Sequence, residues 1–113
     1  MTAQARFALL DKLIERYNAG DAEGYSAFFA EDGVEAMYRG EELRIGRDGV
    51  REGNARTFAE FPQNRAIVLE RHAFGAFVTL HERVWRTPEG DPFEVMSIYS
   101  FDNDKISRVE FVR

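Results

Sequence analysis

Apolar residues recur every three or four positions at the start of this chain and every second position through its second half. Phe7, Leu10, Leu13, Ile14 and Tyr17 form one stripe, which predicts an amphipathic helix. Gly20 follows as its stop, and Asp21 is placed to cap a second helix. Tyr25, Phe28 and Phe29 give that helix an apolar face, and Asp32-Gly33 is expected to end it. Residues 34–38 read as a short extended stretch, 39–42 as a turn and 43–45 as the returning strand. Gly46-Arg47-Asp48 then opens a third helix, with Asp48 suited to the positive end of its dipole. Val50, Phe58 and Phe61 share its inner stripe with Asn54 and Thr57, and Pro62 ends it. Gly49 and Gly53 lie four apart on this helix, at a cost of about 1 kcal/mol each against Ala. A close contact with a strand or a partner is the expected reason.

Four runs rich in β-branched and aromatic residues follow, at 65–74, 77–87, 93–101 and 105–112. The turns between them are short, Gly75-Ala76, the Pro88 to Pro92 segment and Asp102-Asn103-Asp104, so an antiparallel meander is predicted. Helices first and a meander last is an α+β pattern. Laying the helices on the concave face of a curved sheet leaves an elongated cavity between the two layers.

A chain of 113 residues is expected to form one domain over 1–113. Its net charge of −5 argues against nucleic acid as a partner, since phosphate binding needs a basic face. Cysteine is absent, and the two histidines form neither an HxH nor an HExxH pair, so no metal site and no cofactor are expected. The N-terminal stripe is broken by Asp11, Lys12, Glu15 and Arg16, which is unlike the core of a signal peptide. No run approaches the roughly 20 apolar residues of a membrane span. A cytoplasmic location, away from membranes, is the default expectation.

Three segments in order, NAGDAEGYSAFFAEDGVE, GRDGVREGNARTF and FEVMSIYSFDNDKISRVEFVR, resemble the NTF2-like superfamily in its SnoaL-like, or ketosteroid-isomerase-like, branch. The resemblance covers nearly the whole chain. It implies a cystatin-like cone, in which a curved antiparallel sheet wraps around the helices and leaves a pocket at the open end. It also implies a homodimer through the outer face of the sheet. The chemistry of the ketosteroid isomerases transfers less well. Their catalytic base position falls on Met37, their oxyanion-holding Asp on Ser97, and their helix Tyr near Leu13, with Tyr17 one turn later. A methionine cannot abstract a proton, so no standard ketosteroid isomerase activity is expected. The Asp-Arg-Asp arrangement of the related epoxide hydrolases is not evident either.

The run FVTLHERVWR offers the site its candidates. One face carries Phe77, Thr79, His81, Arg83 and Trp85, and the other Val78, Leu80, Glu82, Val84 and Arg86. The resemblance turns Ser97 into the cone, and the His81 face is expected to accompany it. That reading leaves Val78, Leu80, Val84, Met96 and Ile98 outside for a dimer partner. Catalysis is then expected of His81, as acid or base, and Arg83, as holder of a carboxylate or enolate. Tyr17, Met37, Tyr38, Trp85, Ser97, Tyr99, Phe111 and Arg113 would complete the pocket around a small organic molecule. The plainer alternatives make His81 a hydrogen-bonded structural residue and pair Arg83 with Glu94 or Glu110 across the sheet. They also make Tyr17, Tyr38 and Trp85 core aromatics. Three functions stand on this reading: acid/base chemistry of isomerase, cyclase or hydrolase type on a small apolar, carbonyl- or carboxylate-bearing molecule; binding of such a molecule without turnover; or a dimerisation module whose cone is filled by its ten phenylalanines.

Overall fold

The hydrophobic stripe at the N-terminus folds as α1 (Ala3–Asn18), with Leu10 and Leu13 sealed from solvent. A computed structural model describes residues 1–113. The Thr2 hydroxyl caps α1 by accepting from the Ala5 N–H at 3.0 Å. Gly20 follows at φ +69°, in the left-handed region that a helix stop favours. The last residue of α1 is also bracketed from outside. The Asn18 amide donates to the Ala66 carbonyl at 2.9 Å and accepts from the Ala66 N–H at 2.7 Å. This ties the end of α1 to β3 (Arg65–Phe74).

Asp21 caps α2 (Ala22–Ser26) as expected, accepting from the Gly24 N–H at 2.8 Å. This helix is shorter than its apolar pattern suggested. Phe28 and Phe29 do not continue it, and β1 (Phe29–Met37) starts where Phe29 becomes fully buried. Asp32-Gly33 therefore lies inside a strand, at a register shift between Phe29 and Val34, instead of ending a helix. After β2 (Glu42–Ile45) comes α3 (Gly46–Glu60), with Val50, Asn54 and Phe58 buried as the stripe predicted. The remaining runs are β3, β4 (Phe77–Trp85), β5 (Phe93–Asp102) and β6 (Lys105–Val112).

The six strands form one curved, unclosed sheet in the order β2-β1-β6-β5-β4-β3. The four-strand meander is antiparallel throughout. The sheet as a whole is mixed, because β1 runs parallel to β6.

Cross-strand register decides which side chains meet, since residues directly opposite one another share a face. Leu80 lies opposite Ser97, Glu82 opposite Val95, Tyr99 opposite Val109 and Met37 opposite Phe111. Val78, Leu80, Glu82 and Val84 therefore share the Ser97 face, and all four are buried. The expected placement of His81 and Arg83 beside Ser97 is corrected by one residue. They sit opposite Met96 and Glu94 on the outer face. The outer apolar set shrinks correspondingly, keeping Met96 and Ile98 but losing Val78, Leu80 and Val84 to the core. That core joins Leu10, Leu13, Tyr25, Phe29, Val50, Val78, Leu80, Tyr99, Ile106 and Val109. Phe74 and Phe77 lie outside it, at the exposed tip of the β3–β4 hairpin.

Candidate functional site

Between the helices and the inner sheet face lies a cavity of about 160 Å3. Six of the expected residues line it: Tyr17, Met37, Ser97, Tyr99, Phe111 and Arg113. Four do not. Tyr38 is half exposed, and Trp85 lies on the outer face with the Arg65 guanidinium 4.3 Å from its ring centre. His81 and Arg83 bind Glu94 from outside the cone, with His81 Nε2 at 2.6 Å from one carboxylate oxygen and Arg83 Nη2 donating to the other at 3.1 Å. Those two hydrogen bonds, His81 first, hold the Glu94 carboxyl below its usual range. The plainer reading of Arg83, a cross-sheet partner of Glu94, is the arrangement found. Side-chain filling leaves the cone partly open, with Phe93 and Phe111 serving as wall.

Two glutamates face this cavity, and their surroundings differ. Glu35, on β1, is 1% exposed and receives three donors. The Tyr25 hydroxyl donates to Oε2 at 2.7 Å, while Arg44 Nη1 and Asn54 Nδ2 donate to Oε1 at 3.0 and 3.1 Å. Arg44 is in turn fixed by Thr57, whose hydroxyl accepts from Nη2 at 3.2 Å. Burial, reinforced by the Glu35 charge, pushes the Tyr25 phenol well above its ordinary value. A buried charge with this many partners is a structural clamp joining β1, β2, α2 and α3.

The clamp accounts for one of the two helix glycines. A Cβ built on Gly53 would collide with Arg44 Nε and the carbons before it, so the Arg44 side chain runs directly over this glycine. Gly53→Ala is therefore expected to lower the melting temperature, although alanine favours the helix by about 1 kcal/mol. Displacing Arg44 strips a partner from a buried carboxylate, which costs more. A melting temperature at or above that of the parent would refute this account of Gly53.

Glu82, on β4, is held far more lightly. Its side chain is 6% exposed and its hydrogen-bond partner is Ser97, whose Oγ lies 2.6 Å from Oε2. The second oxygen has no protein partner and is not sealed off; it opens on the cavity. Burial pushes the carboxyl up to about 7, against the opposing effect of the Ser97 hydrogen bond. Tyr99 stands close by. Burial, then the charges of Glu82 and Glu35, pushes its phenol well above the ordinary value, so it remains a hydrogen-bond donor at neutral pH.

The other end of the cavity is cationic. Arg86 Nη1 donates to the Asn64 Oδ1 at 2.8 Å and to the Tyr17 hydroxyl at 3.3 Å. Tyr17 accepts here, which leaves its own proton for another acceptor. The Arg86 and Arg113 guanidiniums lie 5.1 and 4.1 Å from the centre of the same Phe93 ring.

Sequence reasoning passed over Arg44, Glu82 and Arg86 as wall residues, and offered Glu35 only as an alternative to Glu110 for orienting His81. For Glu82 a signal existed. It is the one charge in the row Val78, Leu80, Glu82, Val84, and a charge inside an apolar row is the informative exception. Arg44 and Glu35 carried no such mark, because they meet only through the β1–β2 pairing of residues nine apart.

Comparison with known proteins places this geometry in a family. The SnoaL-like domain family matches residues 10–109. No curated protein matches the chain. Among solved structures, an uncharacterised cystatin-fold protein from Novosphingobium aromaticivorans is 39% identical, with 94% of this chain and 96% of that one covered and a TM-score of 0.88. A protein from Sphaerobacter thermophilus is 27% identical over 97% of this chain and 96% of that one, with a TM-score of 0.75. A protein of ketosteroid isomerase-like fold from Catenulispora acidiphila, solved in complex with trimethylamine, is 17% identical over 93% and 84%, with a TM-score of 0.78. The cystatin-like, or NTF2-like, architecture expected from the sequence is thus the one these structures share. With the match spanning all six strands and all three helices in whole or in part, the chain belongs to the SnoaL-like domain family.

Proposed function

We propose that this protein is an acid/base enzyme acting on a small organic molecule, with Glu82 as the group that moves the proton. One observation carries the reading. Glu82 is a buried carboxyl that opens one oxygen onto a cavity and titrates at about 7. A proton-transfer group works best when its pKa lies near the operating pH. The Tyr17 and Tyr99 hydroxyls supply donors for an oxygen on which charge develops. His81 and Arg83 take no part. The cavity's size bounds the substrate, since about 150 Å3 admits a molecule the size of benzene. A single ring or a short branched chain fits within it.

Hydrogen–deuterium exchange at the α-carbons of small ketones and enones in D2O, followed by proton NMR, tests this reading with simple compounds that fit the cavity. The expected result is protein-dependent exchange that Glu82→Gln removes. Exchange no faster than in buffer across the panel, or exchange indifferent to that substitution, would leave a binding protein without turnover. The outer sheet face supports a second part of the proposal, a homodimer. Trp85, Met96 and Ile98 are half-buried there, and Ile67 and Val112 are each 38% exposed. Sedimentation equilibrium should return twice the 13.0 kDa chain mass, and a monomer at micromolar concentration would refute it.

A further inference from the structure

We infer that the cavity selects an anion, a small organic carboxylate whose charge is held between Arg86 and Arg113 while its apolar body lies toward Glu82. The inference rests on the reading of this cavity as a substrate site and names the substrate's class.

The charges on the cavity wall carry the argument. The wall has three arginines and two glutamates. Arg44 and Glu35 neutralise each other at 3.0 Å. Neither Arg86 nor Arg113 is paired with an Asp or Glu side chain. The hydrogen bonds of Arg86 go to the neutral oxygens of Tyr17 and Asn64, and Arg113 rests on the Phe93 ring. Burial pushes the Glu82 carboxyl up to about 7, so near neutral pH its charge offsets them only in part. The side chains of the wall thus carry an excess of positive charge inside a protein whose net charge is −5. Two guanidiniums 5.1 and 4.1 Å from one aromatic ring centre, neither paired with an Asp or Glu side chain, repel each other, and an anion drawn to them relieves that repulsion.

Geometry narrows the anion. Glu82, Val84 and Arg86 are successive inner positions on β4 and the residue after it, so the Cα atoms of Glu82 and Arg86 stand roughly 13 Å apart at the usual rise of a strand. Both side chains line the same cavity. A ligand whose carboxylate meets the arginines therefore presents its opposite end, not its α-carbon, to the Glu82 oxygen. Val84, Val95 and Phe111 flank the space between, which suits an apolar body. A carboxylate fits this pair better than a phosphate monoester. Part of the Arg86 fork is already committed to Asn64 and Tyr17, which leaves fewer donors than the three oxygens of a phosphate would take.

Isothermal titration with four monocyclic probes, at about pH 6, tests the inference: benzoate, benzamide, benzylamine and phenyl phosphate. Benzoate is expected to bind most tightly, and Arg113→Gln to weaken it by about tenfold, the scale of one charged hydrogen bond. The same substitution should leave benzamide unchanged. Arg83→Gln removes a positive charge from the outer face and should alter none of the four, which separates a local clamp from the general field. Equal affinity for benzoate and benzamide, preference for benzylamine or phenyl phosphate, failure of all four to bind, or benzoate affinity untouched by Arg113→Gln would each overturn the inference. Benzoate has no exchangeable α-proton, so the outcome is independent of turnover. Charge-selective binding without deuterium exchange leaves the anion site standing and removes the acid/base reading. Exchange of neutral ketones without charge selectivity does the reverse.

Discussion

Glu82→Gln is expected to lower turnover by about 10²- to 10⁴-fold, the range associated with a positioned acid or base, and to make the protein more stable in mildly alkaline solution. The second effect follows from linkage. The folded carboxyl titrates at about 7, and its ordinary value is 4.5. Between these values the folded state keeps a proton that the unfolded state releases. Stability from this group is thus fully present below pH 4.5 and falls as pH rises, reaching its full loss above 7. The gap between these two values corresponds to roughly 3 kcal/mol. Glutamine has the same shape, retains a hydrogen bond with Ser97 and carries no charge to desolvate. The difference in melting temperature between variant and parent should be small near pH 4, grow through neutrality and level off above pH 7. A difference that is flat with pH would mean that Glu82 is an ordinary carboxylate and would remove the basis for its catalytic role. The two effects have opposite signs for one reason: the site holds a group where folding alone would not place it.

Glu35→Ala is expected to act in the other direction. It removes the acceptor of three hydrogen bonds and leaves the Arg44 guanidinium, the Asn54 amide and the Tyr25 hydroxyl around a void. Breaking one side of a buried pair costs about 3 kcal/mol or more. Arg44 is partly exposed, and water entering from the cavity solvates some of what is left, so the lower end applies. For a domain of this size that is a drop of roughly 10 °C in melting temperature. Replacing both members, Glu35→Leu with Arg44→Leu, should recover much of the loss, because no unpaired charge remains. A single substitution as mild as a surface change, below about 0.5 kcal/mol, would show that Glu35 is not the clamp of this wall.

The two glutamates also show where sequence reading succeeded and where it stopped. Periodicity placed α1, α3 and all four strands of the meander, because each has a long apolar stripe or alternation. It extended α2 too far, since Phe28 and Phe29 suit a helix face or the start of a buried strand equally well. The order of helices and strands also allowed a cone with a pocket. What alternation within β4 could not supply was the face. Both rows, Phe77 to Trp85 and Val78 to Arg86, mix apolar and charged residues. The choice between them rests on Leu80 meeting Ser97, which depends on how the chain turns between Trp85 and Phe93. A shift of one residue exchanges every side chain, so a single error in parity put His81 and Arg83 where Glu82 and Arg86 belong. Arg113, Phe111 and Tyr99 escaped that error because their strands were anchored on Ser97 itself.

The strand order has a consequence for how the chain is made. β6 occupies residues Lys105–Val112 yet lies between β1 and β5, in the interior of the sheet. A nascent chain that has emerged only as far as Asp104 holds two separate pieces, β2 with β1 and the β3–β5 meander, each with an unpaired edge. Neither can close the core, because Ile106 and Val109, both fully buried, are still missing. Folding is therefore expected to wait for the final strand to leave the ribosome, and open edges of this kind are what chaperones protect. The cavity and its Glu82 come into being only at that last step.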